Sequence, residues 1–501
     1  MENTGRIRQA VTPTARRILF GGTTPAGVES ELRYIALLDR AHLVMLAERG
    51  VVGREQAARL LERIAALEAD DFAPLQAADA PRGIYLAYED FLIAELGAET
   101  GGVLHTARSR NDLNATILRL RLRAPYAALL REALRLQAVL VGRARRYADV
   151  VMPVYTHYQA AVPVTYGHYL AGIACALGRD VEGLFAGAQG LDDCPLGAGA
   201  AGGTSFPIEP ARTAALLGFG RPVPHSIDAV ASRDLVLRLL SGAAVLGVTL
   251  SRLAADLLLW TTAEFGFITL PDSLVGSSSM MPQKRNPYLL EHVQGRSAAA
   301  LGAFVSAATA MHAKPYTNSI SAGAEAVSHV WGALQSVSEA LTLARLVVAG
   351  ARPQPDAMNG RAEAGYTTAT ELANRLVADG GMAFRTAHHT VGRAVSEAVR
   401  LGGTSLTDAL AGLGADGQAL QTPRELNPKD VVDASIYGGG PGRASLETCL
   451  ESLREGWRAH TRRRREQARM WAAASSTLND AALALTRSAS EPRHKTAASQ
   501  E

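Results

Sequence analysis

At 501 residues the chain outgrows one compact core, and a net charge of +3 leaves no electrostatic footing for nucleic acid or an anionic membrane surface. Ala, Leu and Arg abound, aromatic residues make up 5%, and alternating β-branched runs are scarce, which favours helix over sheet. The cysteines Cys175, Cys194 and Cys449 stand at no metal-ligand or disulfide-framework spacing. Each is read as a buried, reduced thiol of a cytoplasmic protein, and no metal is expected.

In chain order, residues 1–30 read as a polar arm with no apolar run of signal-peptide length. Residues 31–105 read as a helical domain, with helices over 31–48, 55–68 and 85–96, the first closed by Gly50. His105-Thr-Ala-Arg-Ser-Arg-Asn-Asp112 then opens a helix predicted to run to Tyr147, capped by Ser109, Asn111 or Asp112. Arg110 and Asn111, beside the free amides of a helix start, suit a carboxylate; a cap with a surface ion pair is the plainer alternative. Thr156 and His157 precede an apolar run, 160–178, whose Pro163 and His168 mark a buried helix and its entry and not a membrane span. A lone His is more often structural than catalytic. The Gly-rich stretch 196–207 lacks a following Gly-Lys-Ser/Thr and any βαβ surroundings, which argues against a nucleotide site.

Residues 228–265 and 286–312 are apolar on nearly every side, so their helices must be covered on nearly every side, and association of chains is expected. Between them lies Gly276-Ser-Ser-Ser-Met-Met-Pro-Gln-Lys-Arg-Asn-Pro287, where mobile backbone, hydroxyls, a cation and an amide converge. Such a loop can close over a small polyanion and present donors where negative charge develops. The central domain is placed at 106–352. Three shorter helices give a small C-terminal helical domain at 353–457, and 458–501, with Arg462–Arg465, reads as a basic, disordered tail.

Ser278, Ser279, Met281, Pro282, Lys284 and Asn286 fall at the spacing Ser-Ser-x-Met-Pro-x-Lys-x-Asn, and the loop resembles the signature of the fumarase/aspartase superfamily. Residues 105–112 resemble the argininosuccinate lyase motif His-Thr-Gly-Arg-Ser-Arg-Asn-Asp-Gln, with Ala107 for Gly and Leu113 for Gln. Thr156-His157-x-Gln159 is similar to a substrate-binding segment of that family. The resemblance spans roughly residues 30 to 455. It implies an all-α fold of three helical domains, a central bundle completed by homotetramerisation into a twenty-helix bundle, and β-elimination of an N-substituted aspartate to fumarate without a cofactor.

By residue type alone His157 is the natural base. The resemblance assigns that role to Ser278 and leaves His157 to donate a proton or position a water, paired with Glu291. It places Arg110, Asn111, Thr156, Ser279, Met281, Lys284, Asn286 and Tyr316 around the substrate. One segment departs: Ser321 and Ala324 stand where argininosuccinate lyases carry a Gln and a Lys. The expectation is weakened argininosuccinate cleavage and better use of another N-substituted aspartate, such as an aminopolycarboxylate of the ethylenediamine-disuccinate kind. A non-catalytic structural relative and a nucleic-acid binder using the arginine cluster are the readings from other classes.

Overall fold

The computed structural model describes residues 11–20, 24–78, 80, 83–412 and 426–490. Five helical passes define the centre. Arg110–Arg146 is a 37-residue helix, about 55 Å long. The Tyr166–Gly187 helix starts where it ends, with the Gly167 amide on the Tyr147 carbonyl at 3.0 Å, and runs back antiparallel. Its last turn lies against the first turns of Asp234–Thr261, where a Cβ on Gly187 would meet the Arg238 carbonyl. That helix returns to the first end, setting Trp260 against the rings of Tyr166 and Tyr169. Tyr288–Ser297 and Ala299–Met311 run back again, so close that a Cβ on Gly247 would lie 2.3 Å from the Ser297 carbonyl. Val330–Gly350 finishes beside Leu274, and the Arg143 guanidinium donates to the Ala351 carbonyl.

The bundle therefore has two poles. One gathers the starts of the 110–146 and 234–261 helices and the end of 299–311. The other gathers the end of 110–146, the start of 288–297 and an antiparallel hairpin, Val151–Thr156 with Gln159–Thr165. Apolar packing follows the same plan. A central cluster runs from Leu118 to Leu453, another joins residues 28–117 to 194–219, and a small one links Leu372, Leu376, Val391 and Leu410.

Several boundaries differ from the sequence reading. The arm contains a helix, Pro13–Phe20, and the next helix starts at Pro25, because Thr24 caps it through the Gly27 amide at 3.1 Å and Val28 is already buried. The helix expected over 286–312 is divided at Ala298. The largest correction concerns the tail: Arg443–Ser490 is one 48-residue helix. Leu478, Ala482 and Leu485 recur on one face and bury against the N-terminal cluster, while the Trp457 indole donates to the Leu134 carbonyl at 2.9 Å. Residues 491–501 of the expected tail lie outside the described residues. Cys194 is buried as expected, but Cys175 and Cys449 are only partly so.

The Asp234–Thr261 helix is long and apolar enough to cross a membrane by length and composition, yet 44% of its most apolar window is buried within this chain. It packs as a core helix and leaves Val245 and Val248 exposed.

Candidate active site

The loop after Leu274 is pinned at its base. Gly276 and Asn286 exchange backbone hydrogen bonds of 2.8 Å in both directions, and the Arg285 guanidinium bonds Asp272 and the Leu270 carbonyl. Above that clasp the Ser278 hydroxyl oxygen accepts the backbone amides of Met281 at 3.0 Å and Met280 at 3.3 Å. The chain turns there, with the Lys284 amide on the Met281 carbonyl at 3.1 Å. Two N–H dipoles thus converge on one oxygen, an arrangement that favours its deprotonated form. Ser279, Met281 and Lys284 are exposed on the same loop, Asn286 is half-buried, and Glu291 stands exposed in the first turn of the helix that follows.

His157 lies at the tip of the hairpin. Thr156 pairs with Gln159, and both residues of the turn between them have left-handed backbone, φ 51° at His157 and 61° at Tyr158. A two-residue turn with positive φ at both positions is the geometry that favours Asn-Gly. Here two bulky residues occupy it, at a cost of about 1 kcal/mol each. Such strain is retained where the side chains must project, and Tyr158 is 89% exposed.

At the opposite pole Ser109 caps the 110–146 helix. Its hydroxyl accepts the Asn111 amide at 3.2 Å, and Asp112 answers on the Ser109 amide at 3.0 Å. The other Asp112 oxygen accepts the amides of Gly197 and Gly199 at 3.0 and 2.9 Å, so the Gly-rich stretch cradles the protein's own carboxylate. Burial pushes the Asp112 pKa up and those amides oppose the shift. Arg110 and Asn111 stand on this framework. The Asn111 side-chain oxygen accepts from the Asn318 amide group at 2.8 Å, which leaves the Asn111 amide nitrogen available to donate elsewhere. Tyr316 donates to Asp228 nearby.

Behind the motif, Arg108 and Asp39 form an ion pair with both side chains at 0% exposure, and Arg108 also bonds the Tyr85 hydroxyl at 2.9 Å. Burial, reinforced by the Arg108 charge, pushes His42 down to about 3, and its ring nitrogen lies 2.8 Å from the Thr106 carbonyl. Replacing Arg108 by Leu strands a buried carboxylate and should cost roughly 3–5 kcal/mol in a urea titration, with much of the loss recovered when Asp39 is changed to Leu as well. Ala107, where the related motif has Gly, holds φ at 59°. Ala107→Gly relieves about 1–2 kcal/mol of left-handed strain against about 0.5–1 kcal/mol of added unfolded-chain entropy, so the urea midpoint should rise modestly.

Residue reading alone missed two participants. Asn318 orients Asn111, and Arg233 is a buried cation whose Nε has no hydrogen-bond partner and which forms no ion pair among the described residues. Burial, then the charge of Arg119, pushes the Arg233 pKa down to about 10. Its guanidinium lies 3.3 Å from where a Cβ on Gly323 would be, a point 3.6 Å from the side-chain oxygen of Asn318, the partner of Asn111. The composition 316–325 offered no signal for either, because both depend on residues far apart in sequence.

The structure brings Arg110 and Asn111 together with the segment holding Tyr316. It sets the Ser278 loop and the His157 hairpin at the other pole. Among the described residues no hydrogen bond or ion pair joins His157 to Glu291 or Ser278.

An all-helical bundle with a serine loop at one pole and an arginine–asparagine helix start at the other is the build of a fumarase/aspartase-type lyase. Residues 45–302 match the Lyase family, and residues 366–412 match the argininosuccinate lyase C-terminal family. The chain is 35% identical over 433 residues to argininosuccinate lyase of Methanothrix thermoacetophila, covering 84% of this chain and 86% of the relative. It is 37% identical over 428 residues to argininosuccinate lyase of Halobacterium salinarum, at 84% and 86% coverage. A solved variant of EDDS lyase with bound fumarate matches with a TM-score of 0.82 at 28% identity, over 97% of this chain and 98% of that one. The chain belongs to the argininosuccinate lyase family and is a carbon–nitrogen lyase.

Proposed function

We propose that the chain cleaves argininosuccinate to arginine and fumarate, as a cytoplasmic homotetramer whose sites are each assembled from more than one subunit. The observation that carries this reading is the Ser278 oxygen under two converging amides, on a loop that also bears Lys284 and Asn286. Ser278 removes the proton from the carbon next to the substrate carboxylate. Lys284, Asn286 and the loop amides hold the doubly charged carboxylate that forms, and elimination of the C–N bond then gives fumarate. His157, oriented by Glu291 of another subunit, protonates the leaving nitrogen or positions a water that does so. Arg110, Asn111 and Thr156 hold the succinyl carboxylates, and Ser279, Met281 and Tyr316 complete the wall.

Tetramerisation is supported by the apolar side chains that one chain leaves bare along its central helices: Val245 and Val248 on one, Leu301 and Val305 on the next, Leu346 on the last. The polar arrangement supports a shared site, because Asn111 and Ser278 lie near opposite ends of a bundle whose longest helix spans about 55 Å. A neighbouring chain packed antiparallel closes that distance.

A second reading keeps the chemistry and changes the amine. It is favoured by the segment 316–325, where Ser321 and Ala324 replace polar family residues, Tyr316 is engaged with Asp228, and a single π-helical turn runs over Ser321–Glu325. A panel of N-substituted aspartates, followed by absorbance of released fumarate, separates the two. The first reading expects argininosuccinate to have the highest kcat/KM in the panel; an aminopolycarboxylate outranking it by tenfold or more would select the second.

A further inference from the structure

We propose that Cys175 and Cys449 form a redox-modification site, a dithiol that closes to a disulfide between the 166–187 helix and the C-terminal helix. The sulfurs lie 3.8 Å apart although the residues are separated by 274 positions, and each side chain is only partly buried on the flank of the central cluster. A disulfide needs about 2.05 Å, so the two sulfurs must approach by less than about 2 Å, within reach of side-chain rotation. The pair tethers two elements that already pack together, and the bond would fix the last helix on the bundle.

Burial, then the neighbouring Cys175, pushes the Cys449 thiol up to about 11, so that thiol rests protonated beside its partner. The oxidant is a low-molecular-weight disulfide such as glutathione disulfide. A thiolate of one cysteine attacks a glutathione sulfur and expels one glutathione thiolate, leaving a mixed disulfide. The second cysteine attacks the protein-bound sulfur and expels the other glutathione. Two protein thiols are oxidised, one glutathione disulfide is reduced to two thiols, and no other reactant enters. Cys194 stays outside this chemistry: it is 1% exposed, and burial pushes its thiol up to about 12.

The test uses the purified full-length chain, equilibrated with glutathione disulfide, quenched in acid, unfolded and alkylated for mass analysis. Expected is one alkylated cysteine, Cys194, out of three, no glutathione adduct, and a peptide linking Cys175 to Cys449 that dithiothreitol releases. Cys175→Ser and Cys449→Ser should each abolish the link and instead trap one glutathione on the remaining partner. Three alkylated cysteines, a stable adduct on the unaltered chain, or a link to Cys194 or to a second copy would overturn the proposal.

Discussion

Ser278→Ala should lower kcat by roughly 10³-fold or more while leaving the assembly and its melting temperature nearly unchanged. A serine hydroxyl is a poor base in water, and the proposed role of Ser278 as base rests on the pair of amides, from Met280 and Met281, aimed at its oxygen. Alanine keeps the loop clasp between Gly276 and Asn286 and removes only the proposed proton acceptor. The two amides that lose their acceptor sit on an exposed loop and can bond water, so the stability change should stay within about 1 kcal/mol. Steady-state fumarate release, size-exclusion chromatography and a thermal melt check the three parts together. A variant that keeps a tenth or more of the parent rate would remove Ser278 from the role of base.

Two inactive proteins should restore each other. Ser278→Ala and His157→Asn chains, mixed and allowed to exchange subunits, should recover about a quarter of the parent activity if each site draws its serine and its histidine from different chains that associate at random. The reason lies in the structure of one chain: the hairpin tip and the serine loop share a pole, yet His157 makes no contact with Ser278 or Glu291 through a hydrogen bond or ion pair among the described residues. Exposed His157, with Tyr158 beside it on a strained two-residue turn, projects outward from its own subunit. Mixed assemblies verified by mass and still inactive would place the two groups in one chain's site and contradict the shared arrangement.

Much of this architecture was legible in the sequence, because helical periodicity and caps are local signals. Ser109 and Asp112 form the cap that the motif suggested, and the long helix they open ends at Arg146, beside the predicted Tyr147. The loop at 276–287 stands out in sequence as well, through its density of Gly, Ser, Lys and Asn. What escaped depended on distant partners. Residues 458–490 read in sequence as part of a basic, disordered tail, whereas they continue the 443–490 helix, where Leu478, Ala482 and Leu485 bury against the N-terminal cluster. The hairpin at 156–159 carries none of the Asn or Gly residues that usually announce such a turn. Asn318 and Arg233 became visible only when Asn111 and Gly323 were beside them. The Gly-rich stretch was set aside as a nucleotide cradle, but its actual partner, Asp112, lies 85 and 87 positions from Gly197 and Gly199.

Elimination of fumarate from argininosuccinate at a catalytically useful rate is the property most open to direct measurement. Absorbance of fumarate, recorded with argininosuccinate over a range of concentrations and with the Ser278→Ala protein as the blank, measures it directly. Expected is a kcat/KM of about 10⁴ M⁻¹s⁻¹ or higher, with arginine released in equal amount. No fumarate above the blank from argininosuccinate, in a protein shown to be folded and assembled, would contradict it, whether or not another N-substituted aspartate is cleaved.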